Sequence, residues 1–243
     1  MKIQAHRAIT RLGHRSVKRF AEMLLSAALL CLSCPAMLLA MLAVRITSPG
    51  PALYFQERLG LRGRRIMICK IRTMTLNCER ESGAVWSTPG DPRVTPIGRF
   101  LRRVHLDELP QLVNVLRGDM SLVGPRPERP EIVAQIERAL PHYRRRLEVR
   151  PGLTGLAQVL QPPDTDLGSV QRKLELDLQY MEQESWIMDV KILLATPLHM
   201  INYPSRSIAR FLQVSLDDLD APASLAVSDS ASDGVHVQAT YAS

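Results

Sequence analysis

The chain has 243 residues, 31 Lys+Arg against 24 Asp+Glu for a formal net charge of +7, and 46% hydrophobic residues. That length fits one domain or at most two, and the apolar fraction excludes a wholly disordered chain. Four cysteines, two of them inside an apolar run, are too few for a disulfide framework, and the sequence carries neither a Gly-x-Gly-x-x-Gly nor a Walker A run.

Residues 1–19 hold six bases (Lys2, Arg7, Arg11, Arg15, Lys18, Arg19) and no acid, and form a basic N-terminal segment. Residues 20–46 are read as a membrane segment, because Met23 to Val44 contains no formal charge. As a straight helix that run is about 33 Å long, enough to cross a bilayer core. Pro35 lies near its middle and is expected to kink or break the helix. Arg45, Arg58, Arg62, Arg64, Arg65, Lys70 and Arg72 follow the run with Glu57 as the one acid among them. Basic flanks on both sides draw both ends to the cytoplasmic face. A hairpin turning at Cys34-Pro35 and a single-pass anchor kinked at Pro35 both fit the residues. Cys31 and Cys34 have no second ligand pair and are read as buried structural thiols.

Residues 47–210 are read as the catalytic domain. Residues 52–59 and 65–71 predict two short strands around the turn at 60–63, and residues 74–98 a loop rich in Thr, Pro, Gly and Asp. A helix is predicted after Asp107, ending by Gly118, with Leu109, Leu112, Val113 and Leu116 on one face. Gly124-Pro125-Arg126-Pro127 is a rigid turn, and the helical spacing from Ile132 to Leu147 is interrupted by Pro141. Arg150 to Gly155 forms a second tight loop, and residues 170–182 and 185–201 two amphipathic helices. Trp186, Ile187, Val190, Leu194 and Ile201 on the second suit either a membrane surface or a core. The fold class is therefore α+β, mainly helical with short strands. Residues 211–243 carry five acids and no Lys or Arg, and read as a solvated, disordered tail. The first 210 residues keep 31 bases against 19 acids, a formal +12, which suits an anionic partner such as lipid headgroups, nucleic acid or phosphorylated molecules.

The chemistry points to Asp107 and Glu108. Asp107 is placed as the N-cap of its helix, where the helix dipole would hold the carboxylate ionised. Two adjacent carboxylates can share Mg²⁺, which favours one or two carboxylates together with substrate phosphates. Arg99, Arg102, Arg103, Arg117 and Arg126 lie nearby in sequence, and forked guanidiniums bind phosphate bidentately. An acidic pair among arginines suggests metal-assisted phosphate chemistry.

The stretches GPALYFQERLGLRGRR with CKIRTM (50–74), DPRVTPIGRFLRR (91–103), LDELPQLVNVLRGDMSLVGPRPE (106–128) and RPGLTGLAQV (150–159) closely resemble the bacterial sugar transferase family. Those proteins are monotopic polyprenyl-phosphate phosphoglycosyl transferases, and the likeness covers about residues 18–202, in the family's short form. It implies a re-entrant helix-break-helix at Cys34-Pro35, an Asp-Glu dyad at Asp107 and Glu108, and Mg²⁺ held by that dyad. It also implies a nucleoside-diphosphate sugar donor, usually a UDP-sugar, and an undecaprenyl phosphate acceptor. Arg102 and Arg126 match family arginines linked to the active site, and Lys70 and Arg72 match its K-x-R-T-M motif. With Arg150 of the RPGLTG run, these four are taken as substrate phosphate-binding residues. Three positions depart from the pattern: Cys34 stands where the family often has Ser, His105 where a small hydroxyl residue is usual, and Leu160-Gln161-Pro162-Pro163 where Asn-Gly-Arg often begins.

The expected reaction passes a sugar 1-phosphate from the UDP-sugar to the lipid phosphate and releases UMP, with Asp107 attacking the sugar-linked phosphorus. Direct attack by the lipid phosphate, with both carboxylates on the metal, is the alternative within this class. The expected setting is the cytoplasmic face of the inner membrane, with membrane lipids as partners, a homodimer left open and no nucleic acid. A membrane-anchored nucleic-acid-binding or scaffold protein is the rival from another class. Only 5% of residues are aromatic and they do not alternate with the bases, so a stacking platform is missing.

Overall fold

A computed structural model describes residues 2–78, 80 and 90–215, and the side chains of residues 16–78, 80 and 90–215. The acidic tail, from residue 216 onward, lies outside the described residues. The chain begins with one long helix, α1 (Lys2–Thr47). The expected break at Cys34-Pro35 is absent: α1 continues through Pro35. A proline removes one main-chain hydrogen bond and crowds the preceding turn, which a long helix can absorb without ending. Just before it, the Ser33 hydroxyl donates to the Leu29 carbonyl at 2.7 Å.

α1 lies along the rest of the protein. Near its start, Lys18 reaches Glu184 at 3.0 Å and Asp189 at 2.9 Å. Arg19 donates to the Leu116 carbonyl at 2.9 Å, and Glu22 accepts from the Leu122 N–H at 3.1 Å. Near its end, Met37, Ala40 and Val44 are buried with Ile71 and Leu101. The opposite face is apolar and bare, with Leu24, Leu39, Leu42 and Ile46 exposed and Leu32 at 80% exposure. An exposed apolar stripe of that extent is unusual on a packed protein that meets only water.

The predicted strand pair is present as an antiparallel hairpin, β1 (Leu53–Leu59) and β2 (Arg65–Ile71), with Tyr54 opposite Lys70. The turn places Arg62 and Gly63 at positive φ. Helix α2 (Pro96–Arg103) starts inside the stretch expected to be loop, capped by the Thr95 hydroxyl on the Gly98 N–H. A Cβ on Gly98 would stand 2.0 Å from the Thr73 carbonyl oxygen, so only glycine lets α2 sit against the strand exit. A 3₁₀ turn over Leu106–Gln111 leads into α3 (Leu112–Arg117), which ends at Gly118 with φ 90°. The tighter turn shifts the helical phase, so Leu112, Asn114 and Val115 are buried rather than the face predicted through Val113 and Leu116.

Strand β3 (Ser121–Val123) pairs in parallel with β4 (Gly152–Thr154), which occupies the second predicted loop. A Cβ on Gly152 would lie 2.1 Å from the Gly124 nitrogen, so glycine is needed for this approach. Between these strands, α4 (Pro130–Ala139) ends before Pro141 as predicted, and a 3₁₀ turn covers Tyr143–Glu148. The remaining helices are α5 (Leu156–Leu160), α6 (Leu167–Glu182), α7 (Trp186–Met200) and α8 (Ser205–Leu212). The core alternative for the predicted α7 stripe does not hold: Ile187, Val190, Leu194 and Ile201 are exposed, and a different face, with Met188, Ile192 and Ala195, enters the core. α8 was not foreseen. It brings Ile208 and Leu212 into the main core, with Val214 beside them, so the packed body continues past residue 210. That core joins β2, α3, β3 and α5 to α8; a second joins α4, the Tyr143–Glu148 turn and α6.

Candidate active site

Three pieces of chain bring the predicted dyad together with its basic partners. β2 supplies Lys70, the 3₁₀ turn supplies Asp107 and Glu108, and the diproline turn after β3 supplies Arg126. α3, which follows the 3₁₀ turn, is fixed to β2 by Asn114, which the sequence reading did not single out. Its side chain accepts from the Cys69 N–H at 3.2 Å and donates to the Met67 carbonyl at 2.7 Å. It thus satisfies the strand edge that faces away from β1. Its sequence signal is one amide on an otherwise apolar helix face.

Asp107 is not an N-cap. His105, with φ 53°, precedes the turn, and Asp107 sits within its first residues at 7% exposure. Left-handed backbone at a non-glycine residue carries strain, here two residues before the candidate reacting carboxylate. The expected helix-dipole effect is overridden. Burial first, then the neighbouring Glu108 charge, push the Asp107 carboxyl above its ordinary range, against the pull of Lys70, Arg102 and Arg126. No hydrogen bond to its carboxylate comes from the described residues.

Glu108 is the opposite case. Lys70 Nζ donates to Oε1 at 2.8 Å, and Arg126 forks across both oxygens, with NH1 at 3.1 Å from Oε2. Burial alone would raise its pKa, but Arg126 and then Lys70 hold it well below the usual carboxylate range. Two adjacent carboxyls are therefore driven apart: Glu108 is a fixed anion with its acceptors taken, and Asp107 is a more basic carboxylate left open. Such a split separates an orienting group from a reacting one.

Of the other predicted residues, Arg102 lies within electrostatic reach of Asp107 and donates from Nε to the Thr73 hydroxyl at 2.9 Å. Arg72 is turned elsewhere. Its buried guanidinium holds the Ser48 carbonyl at 2.9 Å and the Pro49 carbonyl, closing the exit of α1. Arg150 is likewise directed to the Gly118 carbonyl at 3.2 Å, beside Arg19. Cys34 and Pro35 are exposed on α1. The motif residues that meet at the dyad are thus Lys70, Arg102 and Arg126.

For a divalent cation the donor set is small. Among the described residues no three His, Cys, Asp or Glu side chains gather as a metal cage. Of the dyad, Asp107 takes no hydrogen bond from the described residues, whereas Glu108 already accepts from Lys70 and Arg126. That suits Mg²⁺, which is commonly held by one or two carboxylates with the rest of its shell from substrate phosphates and water.

Comparison with known proteins places this arrangement in context. The profile of the bacterial sugar transferase family matches residues 13–203. A UDP-glucose:undecaprenyl-phosphate glucose-1-phosphate transferase of Caulobacter vibrioides is 45% identical over 183 residues, covering 74% of this chain and 67% of that protein. A UDP-N-acetylgalactosamine-undecaprenyl-phosphate N-acetylgalactosaminephosphotransferase of Aeromonas hydrophila is 40% identical over 180 residues, 74% of this chain and 42% of that protein. An exopolysaccharide production protein of Rhizobium leguminosarum is 37% identical over 185 residues, 74% of this chain and 92% of its own length. The chain thus spans about two-thirds of the first relative and about two-fifths of the second. The first two are named for different sugars.

Proposed function

The chain belongs to the bacterial sugar transferase family, and from that membership and the site we propose that it transfers a sugar 1-phosphate from a UDP-sugar to undecaprenyl phosphate. The observation that carries this reading is the split between the two carboxylates. Asp107 is buried, raised in pKa and open, while Glu108 is saturated by Lys70 and Arg126. An Asp107 oxygen attacks the sugar-linked phosphorus, the bond to the bridging oxygen breaks, and UMP leaves. The sugar phosphate then sits on Asp107 as an acyl phosphate. An oxygen of undecaprenyl phosphate attacks the same phosphorus, which restores the carboxylate and yields the lipid diphosphate sugar. One phosphoanhydride replaces another, so the transfer needs no further energy source.

Arg102 offers charge beside Asp107, and Lys70 and Arg126 hold Glu108 while presenting cationic faces to the diphosphate. Mg²⁺, held by Asp107 and the substrate phosphates, would supply charge neutralisation as the phosphorus–oxygen bonds exchange.

The membrane setting is part of the proposal. We place α1 in the cytoplasmic leaflet of the inner membrane, with both ends of the apolar run on the cytoplasmic side. Lys18 and Val44 are about 39 Å apart along a helix, yet both rest on the same globular body. A helix standing across the bilayer would have to give up one set of those contacts. The bare leucine face then meets lipid, and a water-insoluble acceptor reaches a cytosolic donor at the surface. In a cysteine-free background, Thr10→Cys and Arg64→Cys should label from the cytoplasmic side together; labelling from opposite sides contradicts this placement.

The activity is tested with membranes containing the protein, undecaprenyl phosphate, Mg²⁺ and a panel of UDP-sugars. UMP release that requires both the lipid phosphate and one UDP-sugar supports the proposal. No release across the panel, with the folded protein present, overturns it.

A further inference from the structure

Four consecutive carbonyls around Arg126 are each held by a donor from elsewhere in the fold. The Gly152 N–H donates to Pro125 at 2.9 Å, Arg146 to Arg126 at 2.9 Å, Arg58 to Pro127 at 3.1 Å, and the Leu59 N–H to Glu128 at 2.9 Å. A Pro-Arg-Pro segment has one backbone N–H in three residues, so its carbonyls are the main handles by which neighbours can fix it. Two of the four handles are gripped by guanidiniums rather than by backbone.

Arg146 is 2% exposed and every arm of its fork is used. Nε and NH2 meet Asp177 of α6 at 2.9 and 2.6 Å, NH1 donates to the Tyr143 hydroxyl at 2.8 Å, and NH2 also serves the Arg126 carbonyl. One turn earlier on α6, Lys173 holds Glu128 at 2.5 Å and Asp164 at 2.6 Å. Arg58 also approaches Glu128 at 3.4 Å. The diproline turn is thus clamped on both sides of Pro127 by alternating buried charges that never touch Asp107.

We propose that Arg146 and Arg58 are positioning residues for Arg126. By fixing the Arg126 and Pro127 carbonyls they keep the Arg126 guanidinium forked on Glu108, and Asp177 locks Arg146 in the orientation this requires. A long arginine side chain finds a carboxylate in bidentate register more often when its own backbone is immobile. Lysine at 146 keeps the charge but delivers one nitrogen, which cannot serve Asp177, Tyr143 and the Arg126 carbonyl in one plane. This inference rests on the transferase reading of the site for its functional meaning, though not for its geometry.

The test combines Arg146→Lys and Arg58→Gln, in the full chain, with Arg126→Ala. UMP release is followed with the UDP-sugar that the wild type turns over. Each variant alone is expected to lower kcat/KM about tenfold, and less than about twofold when Arg126 is already alanine, because the grip then has nothing to position. Equal losses in both backgrounds overturn the proposal. Arg58→Gln, at the edge of the hairpin, carries the cycle if Arg146→Lys fails to fold. A ¹⁵N-arginine spectrum needs no turnover. A slowly exchanging Arg126 guanidinium signal, identified by its disappearance in Arg126→Ala, should shift or vanish in both variants. An unchanged signal overturns positioning even if the transferase reading stands, and a wild type without turnover removes that reading while the spectrum still decides this one.

Discussion

Two clusters of charge lie on either side of the Arg126 turn, and they are built on opposite rules. On the α6 side, Glu128, Lys173, Arg146 and Asp177 are buried and matched, each carboxylate against a cation at hydrogen-bond distance. On the other side Glu108 follows the same rule with Lys70 and Arg126, while Asp107 next to it does not. Matched buried charge holds backbone in place, and removing one partner leaves the other stranded. An unmatched buried carboxylate costs stability, and such groups cluster at functional sites.

That contrast is broken most directly at Asp107. Asp107→Asn should lower turnover by at least about a thousandfold, since an amide cannot form the acyl phosphate. The same change should leave thermal stability unchanged or higher. The folded pKa of Asp107 is raised, so its ionised form opposes folding once the pH exceeds the unfolded value, and asparagine removes that penalty. A thermal melt that drops on substitution would place Asp107 with the structural charges.

At Glu128 the reverse outcome is expected. Glu128→Gln should destabilise the fold by roughly 3 kcal/mol, the scale for breaking a buried ion pair, as read by denaturant unfolding. Burial opposes its charge, but Lys173, Arg146 and Arg58 hold its pKa down from 4.5 to about 2. Its contribution is therefore full above the unfolded value and fades as pH falls through about 2. The variant should lose that part of the acid sensitivity.

Glu108 sharpens the comparison through pH. In the proposed mechanism Asp107 reacts in its ionised form, so the acid limb of wild-type turnover should lie above the ordinary aspartate range, with activity falling as pH drops through the raised value. Glu108→Gln removes the adjacent like charge and releases Lys70 and Arg126, so turnover should be severely impaired. The acid limb of the residual activity should move to lower pH. A limb that stays in place would mean that Glu108 does not set the Asp107 environment.

The smallest effect is expected at the tail. Truncation after Ser215 should keep turnover within about tenfold of the full chain, or 1.4 kcal/mol in barrier terms. Truncation after Arg210 removes Leu212 and Val214 from the core and should lower the melting temperature.

The parts of the fold that were legible in the sequence are those set by short-range patterns. The hairpin, the stop before Pro141 and the last long helices follow from alternation, proline and helical period. The dyad was singled out as adjacent carboxylates among arginines, and Lys70, Arg102 and Arg126 through the family motifs; the structure brings these separate stretches together. The misreadings and omissions share a cause: each turned on packing between distant segments. Arg72 and Arg150 read as phosphate ligands, and packing adds what the sequence does not show, the carbonyls at 48–49 and 118 that their guanidiniums hold. Asp107 looks like a dipole-stabilised cap until burial and Glu108 reverse its shift. Pro35 looks like a break until the long helix is laid against the body on both sides of it. Asp177 and Arg146 are 31 residues apart and Lys173 and Glu128 are 45 apart, separations across which no periodicity pairs one charge with another.

The central claim is that Asp107 is the open carboxylate that carries the sugar phosphate. The direct measurement omits the lipid acceptor and mixes protein, Mg²⁺ and a UDP-sugar labelled in the sugar. About one UMP per active site should be released, with the label retained on Asp107 by peptide mapping and removed by hydroxylamine as an acyl phosphate requires. Release of UMP only when undecaprenyl phosphate is added, with no label trapped, would contradict it, and a label mapping to Glu108 would reverse the roles within the pair.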